Sequence, residues 1–306
     1  MRQIPATWTR RACKFGSSSV ADRNAEFASL AQGVWLRNTP GGMRPFFLPL
    51  GLMLLVGTGL LSGARSVSRA FLFPATDVPA GRAPDGFVSR SLIARDGVPV
   101  HVLELMAPPG ARTVVHFHNN RETAEAGADV ARALHDRGVG VLLVEYRGYG
   151  ASRGAAPSEE GLYLDAESAL EMLAHRGVGP DRIVLWGTSL GTGVAAEMAR
   201  RGRGSRLVLV TPYTSIPALV TSVVPGLPAR ILVLDHFDTI AKSGDIHVPT
   251  LVIHGDADEI VPFWMGEHLT RAIPDARLVR IVGGHHGDLF LRDREKLLTE
   301  IALLSS

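Results

Sequence analysis

The stretch Arg182–Gly191 reads Arg-Ile-Val-Leu-Trp-Gly-Thr-Ser-Leu-Gly and decides the fold class. An apolar strand pattern, Arg182–Trp186, runs directly into Gly187-x-Ser189-x-Gly191, and a helix pattern begins at once. This strand–turn–helix context gives the G-x-S-x-G motif its meaning, because the flanking glycines leave room for a sharp, strained turn. Such a turn pushes Ser189 out at the carboxyl edge of a sheet, over the amino terminus of a helix. A P-loop is disfavoured, since no Lys-Ser/Thr pair follows.

Outward from this turn, short apolar runs alternate with longer amphipathic stretches from Val88 onward. The predicted strands are Val88–Ala94, Val98–Met106, Thr113–His118, Val139–Tyr146, Arg182–Trp186, Arg206–Val210, Thr250–His254 and Arg277–Val282. The predicted helices are Thr123–Arg137, Glu159–Arg176, Leu190–Arg201, Phe263–Ala272 and Asp288–Leu304. The first two strands are adjacent and form a hairpin, whereas helices separate most of the others, as in a doubly wound, mostly parallel α/β sheet. Most strands are apolar without alternation, which is typical of a sheet covered on both faces.

A serine nucleophile needs a neighbouring base, and the base needs a carboxylate that orients it. Two predicted strands end in such side chains: Asp256 and Asp258 follow Thr250–His254, and His285 and His286 follow Arg277–Val282. Both pairs therefore lie at the sheet edge that carries Ser189. The residues alone leave open which aspartate is the acid and which histidine is the base. We expect the other aspartate to be a turn residue that bonds its own backbone, and the other histidine to be a surface or packing residue.

Four turns resemble those of the α/β-hydrolase family. The matching stretches are Val115–Asn120 for the His-Gly-Asn turn, Tyr146–Ser152 for the Tyr-Arg-Gly-Tyr-Gly-x-Ser turn, His254–Pro262 for the His-Gly-x-x-Asp-x-x-Val-Pro acid loop and Gly284–Asp288 for the Gly-x-His-Asn-Asp histidine loop. The resemblance covers Phe71 to Leu304 and is closest to the membrane-anchored α/β-hydrolase-domain proteins that include protein depalmitoylases. It implies an eight-stranded sheet with a small lid, and it selects Asp258 as the acid and His286 as the base.

The same resemblance implies an oxyanion hole formed by the backbone N–H groups of Leu190 and Asn120, with His118 bracing the turn. The family glycine of this turn is here Asn119. Because Asn tolerates a positive φ better than other non-glycine residues, we expect the turn to survive.

The segment between Tyr213 and His247 interrupts the alternation of strands and helices and is too long for an ordinary connection. It is rich in Ile, Leu and Val and is broken by Pro217, Pro225 and Pro228. We interpret it as a small lid with an apolar underside. A packed crossover helix is the alternative.

Two segments precede the hydrolase-like domain. Residues 1–42 show no clear periodicity, and we interpret them as a flexible segment or a misassigned leader. Residues 45–64 form an uncharged apolar stretch. About 20 such residues can cross a bilayer as a helix. Basic residues precede the stretch at Arg2, Arg10, Arg11, Lys14, Arg23, Arg37 and Arg44. This bias predicts a single-pass membrane protein with a non-cytoplasmic domain over residues 71–304. Alternatively, Met43 starts a signal peptide cleaved after Ala64, and the protein is exported. The absence of a cysteine at position 64 argues against a lipid anchor.

The composition disfavours several classes of partner and cofactor. The chain has 306 residues and a formal net charge of +2, with no basic run interleaved with aromatic residues, so a nucleic-acid partner is disfavoured. Its only cysteine, Cys13, excludes an intrachain disulfide. Neither the His285-His286 pair nor the pair His116 and His118 has a further ligand at metal spacing, so no metal is expected. No organic cofactor is implied either.

The sequence therefore predicts a serine hydrolase that cleaves an ester or thioester with an apolar, lipid-like acyl group. One alternative is a serine peptidase or amidase that uses the same triad. The others are a non-catalytic binding protein that kept the fold and a membrane protein whose domain only docks partners.

Overall fold

An eight-stranded sheet forms the centre of the computed structural model, which describes residues 58–59, 61–74 and 83–305. The strands are β1 Val88–Ile93, β2 Pro99–Leu105, β3 Thr113–Phe117, β4 Gly140–Val144, β5 Ile183–Thr188, β6 Arg206–Val210, β7 Thr250–Gly255 and β8 Ala276–Ile281. Their order across the sheet is β1-β2-β4-β3-β5-β6-β7-β8. Strand β2 pairs antiparallel with β1 and β4, and the other neighbouring strands are parallel. The predicted hairpin and mostly parallel sheet are thus confirmed.

The helices are α1 Ala128–His135, α2 Glu159–His175, α3 Leu190–Arg200, α4 Ile216–Val223, α5 Ala229–Leu232, α6 Thr239–Lys242, α7 Phe263–Ala272, α8 Leu289–Arg292 and α9 Arg294–Ser305. Short 3-10 turns cover Ala124–Gly127, Pro180–Arg182 and Ser243–Asp245. Two predicted helices are divided in the structure. The first begins as the 3-10 turn that precedes α1, and the last is broken at Asp293, whose ψ of 39° is not helical.

Two apolar cores lie on opposite faces of the sheet, because neighbouring residues of one strand point to opposite sides. In β3, Val115 belongs to the core that contains Leu162 of α2, whereas Val114 belongs to the core that contains Leu297 of α9. Both valines are fully buried, and burying such a side chain stabilises a fold by about 1.5–3 kcal/mol. Central strands such as β4 and β6 are therefore apolar along nearly their whole length rather than alternating.

The lid, residues 213–247, carries α4, α5 and α6. Ser215 caps α4 by accepting a hydrogen bond from the N–H of Ala218, and Gly226 turns the chain after α4 with a φ of +85°. The expected apolar underside accounts for only some of the apolar residues of the lid. Leu219 packs against the core, but Val223 is exposed to solvent. The apolar residues of the lid therefore divide between an inner and an outer face.

A helix over residues 61–72 precedes the sheet and belongs to the same compact unit, Gly59–Ser306. Within the described residues, every helix is too short or too polar to traverse a bilayer. The predicted segment 1–42 and residues 45–57 of the predicted membrane or signal segment lie outside the described residues.

Candidate active site

The turn between β5 and α3 holds Ser189 in a strained backbone conformation, with φ 50° and ψ −114°. Such a conformation costs a non-glycine residue on the order of 1–3 kcal/mol and persists only where the surroundings enforce it. Two glycines make the turn possible. A Cβ on Gly187 would lie 2.3 Å from the carbonyl oxygen of Gly191, and a Cβ on Gly191 would lie 2.0 Å from that of Phe117. The turn therefore requires glycine at both positions.

Three side chains from three loops form one hydrogen-bonded chain at the carboxyl edge of the sheet. The hydroxyl oxygen Oγ of Ser189 lies 3.0 Å from Nε2 of His286. Nδ1 of His286 lies 2.8 Å from Oδ2 and 3.1 Å from Oδ1 of Asp258. Ser189 follows β5, Asp258 follows β7 and His286 follows β8, so parallel strands bring together residues that are far apart in the sequence. The arrangement allows His286 to accept the proton of Ser189 while Asp258 holds the imidazole.

The carboxylate of Asp258 is fully buried and accepts several hydrogen bonds. Oδ1 accepts hydrogen bonds from the N–H groups of Ile260 at 2.9 Å and Val261 at 2.8 Å. Burial would raise the pKa of this carboxyl, but hydrogen bonds from His254 and His286 outweigh burial and hold the pKa well below its usual range. Asp258 is therefore ionised at neutral pH and can stabilise a positive charge on His286.

The two alternative residues lie apart from this chain. Asp256 pairs with Arg280 and accepts a hydrogen bond at 2.6 Å from the N–H of Gly283, so it ties the loop after β7 to the end of β8. His285 is half-exposed, and its Nδ1 lies 3.1 Å from the carboxylate of Glu259. Among the described residues, neither side chain forms a hydrogen bond with Ser189.

The turn after β3 carries the predicted oxyanion donor Asn120. Asn119, which replaces the family glycine, does not adopt a positive φ, so the turn does not use the tolerance of Asn for that conformation. Its Oδ1 instead accepts a hydrogen bond from the N–H of Arg121 at 2.8 Å. Within the part of the chain that the structure describes, the N–H groups of Leu190 and Asn120 have no acceptor. Neither group is therefore engaged by another acceptor in the described part of the chain.

His118 lies at the start of the same turn and is held by buried contacts. It is buried, its ring stacks on Tyr146 at 4.2 Å between ring centroids, and its Nε2 lies 3.4 Å from the buried carboxylate of Glu145. These contacts agree with the structural role that the family resemblance implied for His118.

Comparison with known proteins supports the α/β-hydrolase fold. A family model described as "Serine aminopeptidase, S33" (Hydrolase_4) matches residues 108–237. The fold is similar to that of the Pyrococcus furiosus esterase Pf2001, with a TM-score of 0.63 and 16% identity over 74% of this chain and 96% of that chain. It is also similar to the esterase EaEST from Exiguobacterium antarcticum, with a TM-score of 0.57 and 20% identity over 72% of this chain and 100% of that chain.

The sequence is 30% identical over 246 residues to the uncharacterized protein YfhR of Salmonella typhi, an alignment that covers 74% of this chain and 83% of YfhR. The chain is an α/β-hydrolase of the YfhR family. It is also 42% identical over 176 residues to the uncharacterized protein Rv2307c of Mycobacterium tuberculosis, in an alignment that covers 57% of this chain. That match spans 62% of the length of the mycobacterial protein.

The α/β-hydrolase contains two contacts at this site that sequence reasoning missed. Nε2 of the fully buried His254 lies 3.2 Å from Oδ2 of Asp258, and the His-Gly-x-x-Asp spacing of the acid loop was the signal that could have pointed to it. Leu72, in the last turn of the helix over residues 61–72, accepts a hydrogen bond at 3.1 Å from the side-chain amide of Asn120. No sequence pattern links Leu72 to a residue 48 positions later.

The remaining histidines of the hydrolase do not form a ligand cluster. His116 is buried, and burial with the nearby His118 lowers its pKa to about 3, so the ring is neutral. Nε2 of His116 lies 3.2 Å from the hydroxyl of Thr188. Among the described residues, no group of three or more His, Cys, Asp or Glu side chains could hold a metal ion.

Proposed function

We propose that this α/β-hydrolase is a serine hydrolase that cleaves a carboxylic ester or thioester with an apolar acyl group. The observation that supports the proposal is the hydrogen-bonded chain Ser189–His286–Asp258, whose serine lies in a strained turn at the amino end of α3. Strain of this kind is retained where surrounding structure enforces a geometry, and such positions cluster at active sites.

In the proposed reaction, Oγ of Ser189 attacks the acyl carbon while Nε2 of His286 takes the hydroxyl proton. The tetrahedral oxyanion binds to the N–H groups of Leu190 and Asn120, and each such donor contributes on the order of 3 kcal/mol to the transition state. The C–O or C–S bond then breaks, and His286 returns the proton to the leaving alcohol or thiol. Water resolves the acyl-enzyme by the same steps and restores the free serine.

The proposed acyl group is apolar because the lid offers an apolar groove of about 700 Å³. Its lining includes Pro217, Ala218, Leu227, Ile231 and Trp264. The groove is lined by residues of the lid and of α7, and Ser189, His286 and Asp258 are not among its lining residues. Arg230 is the charged residue of the lining, and its guanidinium pairs with Asp238 at 2.9 Å. The hydroxyl groups of Ser215, Thr221 and Ser222 in the lining already bond backbone groups. A charged or sugar-like acyl group would therefore find few free partners there, whereas an alkyl chain would lose water-exposed area.

An active-site-directed fluorophosphonate tests the proposal. The wild-type chain should form one covalent adduct, and peptide mass spectrometry should place it on Ser189. The Ser189→Ala variant, with the same fold shown by circular dichroism, should not react. An unmodified wild-type protein would identify the chain as a non-catalytic protein of this fold. Turnover of matched p-nitrophenyl esters and thioesters, including an S-acyl cysteine peptide of the kind depalmitoylases cleave, would then define the leaving group.

A serine peptidase or amidase is the second candidate, favoured by the description of the matching family model as a serine aminopeptidase. Its substrates would be amides with a free α-amino group. Amino-acid p-nitroanilides and p-nitrophenyl esters of equal size distinguish the two candidates. A kcat/KM for the anilides above that for the esters would favour the peptidase and contradict the esterase proposal.

We further propose that residues 45–64 anchor the protein in a membrane, with the hydrolase domain on the non-cytoplasmic side. The support is the uncharged apolar sequence and the excess of arginine before it. A protease added outside sealed cells with a permeabilised outer layer should digest the domain. Protection of the domain, with cleavage before residue 43, would reverse the orientation. A mature protein that begins after residue 64 would favour a cleaved, exported form instead.

A further inference from the structure

Eight exposed apolar side chains lie on the lid and on the two elements beside it, and we call this set the apolar face. Its members are Val67, Phe71, Val223, Val224, Leu227, Ile231, Leu234 and Trp264. Single exposed apolar residues are ordinary on a soluble protein, but a contiguous group of this kind marks an interaction surface.

Direct contacts join the three elements of the apolar face. The helix over residues 61–72 is fixed to the lid by the ion pair between Arg69 and Asp235, at 2.8 Å. Trp264 of α7 lines the same groove as Leu227 and Ile231 of the lid. The three elements that carry the apolar face are therefore held together.

Two members of the apolar face lie on elements that also support the proposed active site. Phe71 directly precedes Leu72, whose carbonyl oxygen holds the side chain of Asn120, the proposed oxyanion donor. Trp264 lies at the start of α7, directly after the acid loop that carries Asp258. A molecule that covers the face would thus contact the two elements that adjoin the oxyanion turn and the acid loop.

Two ion pairs beside the apolar face present their arginines to solvent. Arg69 of the first helix pairs with Asp235, and Arg230 of the lid pairs with Asp238. The side chain of Arg69 is 43% exposed and that of Asp235 4%, while Arg230 is 70% exposed and Asp238 20%. The charge that these two pairs present to solvent is therefore that of guanidinium groups, which complement an anionic lipid surface.

The position of the helix in the sequence points to the same occupant. Its first residues, 61–64, are the last of the uncharged stretch 45–64 that we propose to lie in the membrane. Arg69 lies only about 8 Å along the helix axis from residue 64, at 1.5 Å per residue. Because Arg69 binds Asp235, the lid is held close to the point where the chain would leave the bilayer. Trp264 and the arginines are residue types that favour the membrane interface.

We propose that the apolar face rests on an anionic phospholipid bilayer, so that the active site receives its acyl substrate from the membrane. The statement about the substrate rests on the proposed hydrolase function, whereas the docking of the face does not. A soluble short-chain ester would reach Ser189 without the bilayer, and this difference separates the two proposals experimentally.

Site-specific labelling of the full chain in phospholipid vesicles tests the docking. In a Cys13→Ser background, a single cysteine at position 71, 223 or 231 carries an environment-sensitive fluorophore. The matched control is a cysteine at Leu291, an apolar side chain that is 85% exposed and lies on α8, outside the face. Lipids with a bromine or nitroxide quencher in the acyl chain should quench the label at all three face positions, and at least threefold more than at position 291.

Other occupants of the face give different signals, and each would overturn the proposal. An unquenched label at position 223 that shifts to the blue as the protein density in the vesicles rises would indicate a second copy of the chain. An unquenched label that is blue-shifted at every density would indicate the chain's own residues 45–57. Equal quenching at positions 223 and 291 would show that the bilayer does not prefer this face.

Activity provides the second readout. We expect Val223→Asp and Val224→Asp together to lower hydrolysis of a long-chain acyl ester embedded in vesicles at least tenfold. The same variant should cleave soluble p-nitrophenyl acetate within twofold of the wild type, because both side chains are exposed and neither lines the lid groove. Leu291→Asp should change neither rate. Equal vesicle rates for the wild type and the double variant would refute the docking, whereas a wild type inactive on both substrates would refute the hydrolase function alone.

Discussion

Nε2 of His254 lies 3.2 Å from Oδ2 of Asp258, and both side chains are fully buried. The same nitrogen lies 3.0 Å from the carbonyl oxygen of Val261, so one N–H group points toward two acceptors. Nδ1 of His254 has no partner among the described residues. A buried group without a partner costs stability, which suggests that the ring is retained for the contact that Nε2 makes. We interpret His254 as a positioning residue for the acid of the proposed triad.

His254→Leu should lower kcat/KM for p-nitrophenyl butyrate by about 10- to 100-fold, because a hydrogen bond to a charged group contributes on the order of 1.5–3 kcal/mol. His254→Gln, whose amide nitrogen can reach the position of Nε2, should recover most of the activity. The decisive comparison is His254→Leu against His254→Gln, because only Gln restores a donor to Oδ2 of Asp258. Equal losses of activity in the two variants would reduce His254 to a packing residue.

The triad predicts a non-additive mutation series. Ser189→Ala, His286→Ala and Asp258→Asn should each lower ester turnover by about three orders of magnitude, and combining them should cost little more. Asp256→Asn and His285→Ala are the matched controls, because each lies on the same loops.

Both controls should retain turnover within about tenfold of the wild type, since neither side chain bonds Ser189. The measurement is kcat on a soluble ester under single-turnover and steady-state conditions. A larger loss for His285→Ala than for His286→Ala would reverse the assignment of the base.

Glu197 of α3 should make stability depend on acid pH. Burial alone would raise its pKa, but hydrogen bonds from Arg200, Lys242 and Arg201 lower it from 4.5 to about 2. Because the folded-state pKa is depressed, its stabilisation is fully present above the unfolded pKa and disappears as the pH falls through the folded pKa. Glu197→Gln should therefore lower the free energy of unfolding by at most about 3 kcal/mol at pH 7.

The difference between Glu197→Gln and the wild type should shrink progressively between pH 4.5 and pH 2, as followed by urea unfolding at each pH. Glu295→Gln is the control, because Glu295 is largely exposed although it bonds Arg137 at 2.6 Å. An exposed pair of this kind contributes about 0–1 kcal/mol. A pH-independent deficit in Glu197→Gln would assign its effect to packing rather than to charge.

The lid groove should set the preferred acyl length. Each buried CH₂ contributes about 0.8 kcal/mol, which corresponds to roughly a fourfold gain in kcat/KM per carbon until the groove is full. Ala218→Trp should fill part of the groove and lower the ratio of octanoyl to acetyl turnover at least tenfold, with the acetyl rate little changed. Ser222→Ala, a small change at another lining residue, is the control. A wild-type kcat/KM that is highest for the acetyl ester and falls steadily with acyl length would show that the groove does not bind the acyl group.

The hydrogen bond between the Asn120 side chain and Leu72 should position the oxyanion donor. Asn120→Ala keeps the backbone N–H but loses the bond to the helix, and a neutral hydrogen bond contributes about 1 kcal/mol. We expect kcat to fall about fivefold with KM little changed, because an oxyanion donor acts in the transition state. Asn119→Ala, which loses only the local bond to Arg121, is the comparison. Equal effects of both variants on kcat would assign the loss to the turn rather than to the helix.

The sequence by itself determined the elements and the chemistry that local patterns specify. Unbroken apolar runs predicted a covered parallel sheet, because both faces of each strand are buried, and Gly187-x-Ser189-x-Gly191 predicted the turn that only glycines permit. The spacing of Asp256 and Asp258 or of His285 and His286 could not separate the members of either pair, since neighbours on a loop have similar local sequence. The family resemblance was needed to choose between them.

Only the tertiary structure decided contacts between segments that are distant in the sequence. The bond from Asn120 to Leu72, the fixation of the first helix by Asp235 and the division of the lid into inner and outer faces depend on how elements pack. No local propensity encodes such pairings, because their free energy arises from surfaces that meet only in the folded state. The backbone of Asn119 was also decided only by the structure, although through a local contact. Its Oδ1 accepts a hydrogen bond from the N–H of Arg121, and the turn forms without a positive φ at this position.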